Sequence, residues 1–298
     1  MIRLRQILCP VDFSPFSRRA LDHAAVLARW YEAQLTVLHV SPLMPTVFAL
    51  QPAMAASALP SFDQEALGLE LRTFVSETLK GKPTPELVVR AGAAAITILD
   101  FAGEMKADLV VLGTHGGTGF ERFMLGSVTE KVIRKAACPV LTVPQHAADR
   151  PESPLFGRIL CAVDFSPASD RAAQYALSLA QEAKGGLTML HVVEWLPDDS
   201  FATYPNFDVD HYRRSLLTEA RIRVEALVPE EARNWCEAET RVVCGKPYQE
   251  ILRVSHNDVA DLIVLGVHGH GPIDRMLFGS TPQQVVRQAT CPVLTIRP

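Results

Sequence analysis

Short apolar runs alternate along this chain with longer stretches whose apolar residues recur every three to four positions. In the first half the runs fall at 7–11, 35–40, 87–90, 109–112 and 140–143, and they are apolar throughout rather than at every second residue. That pattern predicts strands buried on both faces, as in a parallel sheet covered by helices. Between them, helical periodicity predicts helices over about 66–79, 94–106 and 127–137. A further helix starts after Ser14, a hydroxyl N-cap with Pro15 in the first turn, and carries Ala20, Leu21, Ala24, Leu27, Ala28 and Tyr31 as its apolar stripe. Five strands and four helices in βαβ order predict an α/β unit of Rossmann-like or flavodoxin-like type: an open five-stranded parallel sheet with helices on both faces. Positions 41–60 have no period and are expected to form a loop or mobile cover.

The pattern occurs twice. "ILCPVDFSP" from Ile7 returns as "ILCAVDFSP" from Ile159, "LTVLHV" ending at Val40 as "LTMLHV" ending at Val192, and "CPVLTV" as "CPVLTI". An internal repeat of this length means two tandem domains. The expected boundaries are 1–145 and 157–298, joined by a Pro-rich polar linker at 146–156.

The most distinctive copy is a glycine-rich loop. "GTHGGTGFERFMLGS", Gly113 to Ser127, follows the apolar "ADLVVLG", and "GVHGHGPIDRMLFGS", Gly266 to Ser280, follows "ADLIVLG". Glycines let backbone N–H groups curl around an anion, and a helix opening at the serine adds a favourable dipole, so the loop suits a phosphate chain. It is not a P-loop, because Gly81-Lys82 and Gly245-Lys246 are each followed by proline. Nor is it a dinucleotide fingerprint, because no glycine follows the first strand of either copy. That strand ends instead in Asp12, or Asp164 in the second copy. Its carboxylate has two readings, as an acceptor for ribose hydroxyls or as a cap for the following helix.

Gly-x2-Gly-x9-Gly-Ser, with "VDFS" upstream and "CPVLTV" at the end, resembles the universal stress protein family, and the duplication resembles its tandem type. The resemblance spans nearly the whole chain and implies the ATP-binding branch of the family. It implies that Pro10, Val11, Asp12 and Val40 hold adenosine, and that Gly113, His115, Gly116, Gly126, Ser127 and Val128 hold the phosphates. In the second copy Ala162, Val163, Asp164 and Val192 correspond, followed by Gly266, His268, Gly269, Gly279, Ser280 and Thr281. Ala162 replaces Pro10, and Pro272 enters the second loop, removing a donor and stiffening it, so the first site is expected to be the better one. ATP is the implied cofactor, with Mg as its companion ion. The resemblance further implies that the "CPVLTV" and "CPVLTI" edges pair within the chain, as single-domain relatives pair by dimerising, and a further homodimer is open.

Composition narrows the alternatives. With 298 residues, 48% hydrophobic, the chain has material for two cores. A net charge of −4 without a basic stripe argues against a nucleic-acid partner. No run of about 18 uncharged apolar residues spans a membrane, and no cleavable leader is legible, so the cytoplasm is the expected location. Six cysteines without a Cys-x-x-Cys spacing read as buried thiols, and His39 and His191 as core or pocket-edge residues rather than metal ligands. No motif supplies a committed general base. Arg122 and His115, with Arg275, His268 and His270 in the second copy, are candidates to neutralise phosphate charge, although Glu121-Arg122 and Asp274-Arg275 also read as simple ion pairs. Three roles therefore remain: a nucleotide-dependent stress-response module, a slow ATPase or autophosphorylating enzyme in the same pocket, or a nucleotide-independent scaffold.

Overall fold

The computed structural model describes residues 2–42, 63–80, 84–114, 125–144, 147, 156–194, 208–267 and 279–297. The first half contains β1 (Gln6–Val11), α1 (Pro15–Trp30), β2 (Gln34–Ser41), α2 (Gln64–Leu79), β3 (Glu86–Ala91), α3 (Ala94–Glu104), β4 (Leu109–Gly113), α4 (Ser127–Lys135) and β5 (Val140–Val143). The second repeats it as β6 (Arg158–Val163), α5 (Pro167–Ala183), β7 (Gly186–Val193), α6 (Val209–Ala226), β8 (Glu237–Cys244), α7 (Pro247–Asn257), β9 (Leu262–Gly266), α8 (Ser280–Gln288) and β10 (Val293–Ile296), with a short 3-10 helix at Glu230–Asn234.

Within the first half the strand order is β3-β2-β1-β4-β5, and the second half has the same order, β8-β7-β6-β9-β10. This is the Rossmann order rather than the flavodoxin one, a choice that strand periodicity left open. All pairings inside each half are parallel. β5 and β10 pair antiparallel, with Leu294 opposite Leu141, so the two five-stranded sheets form one ten-stranded sheet. Thr142 Oγ1 donates to the Val293 carbonyl at 3.2 Å and Thr295 Oγ1 to the Val140 carbonyl at 3.0 Å, so each of these buried hydroxyls finds a partner across the junction.

Two cores cover the two faces. Ile7, Cys9, Val11, Leu35 and Val37 pack under α1 and α2, continuous with Ile159, Cys161 and Val163 under α5 and α6. Leu8, Leu38 and Val110 pack under α3 and α4, continuous with Leu160, Leu190 and Ile263 under α7 and α8. The period-two split of each strand between the faces explains why the runs are apolar throughout. At the N-terminus the Ile2 N–H donates to Ser178 Oγ on α5 at 2.8 Å, tying the two halves together a second time.

The α1 N-cap is Ser14, whose hydroxyl accepts from the Ser17 N–H at 3.2 Å, and the stripe from Ala20 to Ala28 is buried. Ser41 closes β2, and the rest of the expected cover, 43–60, lies outside the described residues. So does most of the expected linker, although Ala147 and Phe156 at its ends are buried. Among the described residues no helix is long and apolar enough to cross a membrane.

Candidate functional site

The strand order reverses direction between β1 and β4, and ligands of open α/β sheets lie above the carboxyl ends of the strands at such a reversal. A cavity of about 360 Å³ sits there. Pro10, Val11, Asp12, Val40, Gly113, Gly126, Ser127 and Val128 line it. The second half holds a counterpart of about 270 Å³, lined by Ala162, Val163, Asp164, Val192, Gly266, Gly279, Ser280 and Thr281. The structure thus brings sixteen residues, distant in sequence, into two equivalent places. The remaining candidates, His115, Gly116, His268 and Gly269, lie outside the described residues, as do Arg122, His270, Pro272 and Arg275.

Each cavity has an apolar wall and a polar rim. In the first, Leu38, Val40 and Ile98 form the wall; Leu190, Val192 and Ile251 repeat it in the second. Opposite, α4 and α8 open at Ser127 and Ser280. Their N-caps, Gly126 and Gly279, bring no capping side chain, so the positive end of each helix is presented to the cavity. The aspartates stand on a tight turn built identically twice. Asp12 Oδ1 accepts from the Ser14 N–H at 3.1 Å, and Asp164 Oδ1 from the Ser166 N–H at 3.0 Å. The capping reading of the aspartate is thereby resolved. Ser14 and Ser166 cap the helices, and the carboxylate braces the turn while remaining exposed at the cavity.

Gly113 and Gly266 are glycines for a reason the loop pattern does not show. A Cβ on Gly113 would stand 2.8 Å from Phe16 Cβ and 2.9 Å from its carbonyl carbon, and one on Gly266 2.8 Å from the Ser169 nitrogen. What the packing demands glycine for is the close approach of α1 and α5 to the ends of β4 and β9.

The profile of the universal stress protein family matches residues 3–144 and again 155–297. The chain belongs to the universal stress protein family. A universal stress protein of Mycolicibacterium smegmatis is 28% identical over 297 residues, covering 98% of this chain and 97% of its own. One from Methanocaldococcus jannaschii is 36% identical over 154 residues, 47% of this chain and 81% of its own. The crystal structure of a universal stress protein from Archaeoglobus fulgidus shares the fold, with a TM-score of 0.67 over 98% of this chain and 96% of its own at 22% identity.

Within this universal stress protein frame the two cavities differ. β1 pairs with β4 only at Ile7–Leu109 and Leu8–Val110, whereas β6 and β9 continue pairing through Cys161–Val264 and Ala162–Leu265. Pro10 stands where Ala162 does and has no N–H to donate, so the first ladder stops short below the larger cavity. Thr129 Oγ1 donates to the Gly113 carbonyl at 2.9 Å; in the second half Pro282 occupies that place in the cavity wall.

Residues that the loop motif did not indicate also line the sites. Ser17 Oγ accepts from the Asp12 N–H at 3.4 Å and Ser169 Oγ from the Asp164 N–H at 3.3 Å. The signal was present, since a serine follows each aspartate by five positions. All six cysteines are free, and Cys9, Cys161, Cys236 and Cys291 are buried. Burial pushes the Cys138 and Cys291 thiols up to about 11, and Cys9 and Cys161 well beyond the usual thiol range.

Proposed function

We propose that both cavities are adenine-nucleotide sites and that the chain is an ATP-binding module of the stress response, whose nucleotide state sets its conformation or choice of partner. One observation carries this reading: at the reversal point of each half, an apolar wall, a carboxylate and an uncapped helix N-terminus face one cavity. The wall suits a base, the carboxylate accepts from ribose hydroxyls, and the helix end favours phosphate. Mg would arrive with the triphosphate. Asp12 and Asp164 are the sole carboxylates among the described lining residues of their cavities, and in this reading they face the ribose, so the phosphate oxygens would hold the ion.

In this reading the units are 1–145 and 157–298 with a linker at 146–156, they act in the cytoplasm, and the β5–β10 contact makes each chain an intramolecular counterpart of a dimer. The family match over 3–144 and 155–297 supports the division. In this reading the site holds nucleotide rather than turning it over rapidly.

The test is the unfolding temperature with and without ATP and Mg. At a hundredfold excess over Kd the ligand stabilises the native state by about 2.7 kcal/mol. The shift is expected to shrink in Asp12→Ala and vanish in Asp12→Ala/Asp164→Ala. No shift in the natural chain at millimolar ATP sinks the reading. ADP formation that these variants abolish promotes the slow-ATPase reading in its place.

A further inference from the structure

Behind each cavity, on the opposite face of the sheet, the same two rings pack together, stacked in the first half and tilted in the second. Phe13 lies on His39 with centroids 4.3 Å apart and planes at 25°, and Phe165 lies on His191 at 4.4 Å and 35°. Each phenylalanine directly follows a cavity aspartate. Phe13 has φ 63° and Phe165 φ 61°, in the left-handed region that a bulky side chain leaves unless its surroundings hold it there. The surroundings here include the histidine twice over. His39 Nδ1 is 2.9 Å from the Val11 carbonyl oxygen and His191 Nδ1 2.8 Å from that of Val163. A carbonyl only accepts, so Nδ1 carries the proton and donates. Each imidazole therefore grips the residue before the aspartate by a hydrogen bond and the residue after it by a stack.

The outer side of the stack is closed differently in the two halves. Phe74 meets the edge of Phe13 at 5.4 Å, and the Arg18 guanidinium covers Phe74 at 4.6 Å. In the second half Arg223, from α6 rather than α1, sits directly on Phe165 at 3.9 Å. The histidine, its carbonyl bond and the left-handed phenylalanine recur; the outer covering does not. What the two halves share is the hold on the aspartate.

We propose that His39 and His191 are positioning residues that fix Asp12 and Asp164 for the nucleotide, a role that rests on reading the cavities as nucleotide sites. Neither imidazole is among the residues lining its cavity, so each acts through the turn.

The test is ATP titration of the full chain in an Asp164→Ala background, which isolates the first site. His39→Phe keeps a ring against Phe13 and removes the donor; His39→Asn places an amide N–H near the Nδ1 position. His39→Phe is expected to weaken ATP binding about tenfold, or about 1.4 kcal/mol, and His39→Asn to stay within about threefold of the background. The unfolding midpoint of the nucleotide-free protein should not follow the same order. Unchanged affinity in His39→Phe overturns the proposal while leaving the nucleotide reading intact. So does equal loss in both variants in step with their stability, which marks a merely structural ring. No ATP binding by the natural chain overturns both. Imidazole 15N shifts of the natural chain need no variant: Nδ1–H tautomers that shift on ATP addition are expected, and Nε2–H tautomers contradict the proposal.

Discussion

Replacing Gly113 by alanine tests how the cavity's floor is built. The added Cβ would lie 2.8 Å from Phe16 Cβ, 2.9 Å from its carbonyl carbon and 3.0 Å from its oxygen, all fixed parts of the first turn of α1. Ordinary carbon contacts need about 3.5–4.0 Å, so the turn must retreat by several tenths of an ångström from a packed strand end. Overpacking of this kind costs about 1–3 kcal/mol, and contact with backbone rather than a flexible side-chain tip places the cost in the upper part of that range, about 2–3 kcal/mol. For a domain of this size that lowers the midpoint of unfolding by about 4–12 °C. Gly266→Ala should behave alike, since its Cβ meets Ser169 nitrogen and Ala168 at 2.8–2.9 Å. Gly68 in α2 is the control: nothing lies within 4 Å of its Cβ position, and alanine there should stabilise by about 0.5–1 kcal/mol. Thermal unfolding of the three variants decides the matter. Gly113→Ala as stable as the natural chain refutes the packing argument and returns the glycine to the loop.

Three further outcomes follow from the same geometry. Thr129→Val removes the buried hydroxyl that serves the Gly113 carbonyl and should cost about 1 kcal/mol in urea unfolding, an effect with no counterpart at Pro282. His191 is held below the ordinary histidine value chiefly by burial, with Arg223 adding to the shift while the Val163 carbonyl and Asp164 oppose it. Its unfolded form therefore takes a proton first, so its contribution to stability is present above about pH 6.5 and falls as pH drops from there towards the lower native value. His191→Phe should flatten that part of the stability profile, and an unchanged profile counts against the assignment. In thiol labelling of the native protein, Cys138 and Cys244 should react before Cys9 and Cys161, which are fully enclosed and react only on unfolding.

The strands were legible because runs such as 109–112 are apolar on both faces, and α1 because Ser14-Pro15 writes its start into the chain. Strand order was not, since the choice between two doubly wound orders depends on long-range pairing that no local pattern encodes. The cavity residues could be named from the family resemblance that a doubled motif carries, but the reason for Gly113 could not: it lies in the approach of α1, far earlier in the chain. The left-handed Phe13 was equally hidden, because "VDFS" offers no glycine to mark a positive φ. Ser17 and Thr129 were missed for a different reason. Their hydroxyls serve backbone groups at Asp12 and Gly113, and those contacts exist only once strand and helix have met.

The most direct measurement of the central claim is the number of ATP molecules bound per chain, by equilibrium titration with Mg present. Two are expected, the tighter at the larger first cavity, with Asp12→Ala removing that one and Asp164→Ala the other. Binding that survives in the double variant, or none in the natural chain, contradicts the claim that these two cavities are nucleotide sites.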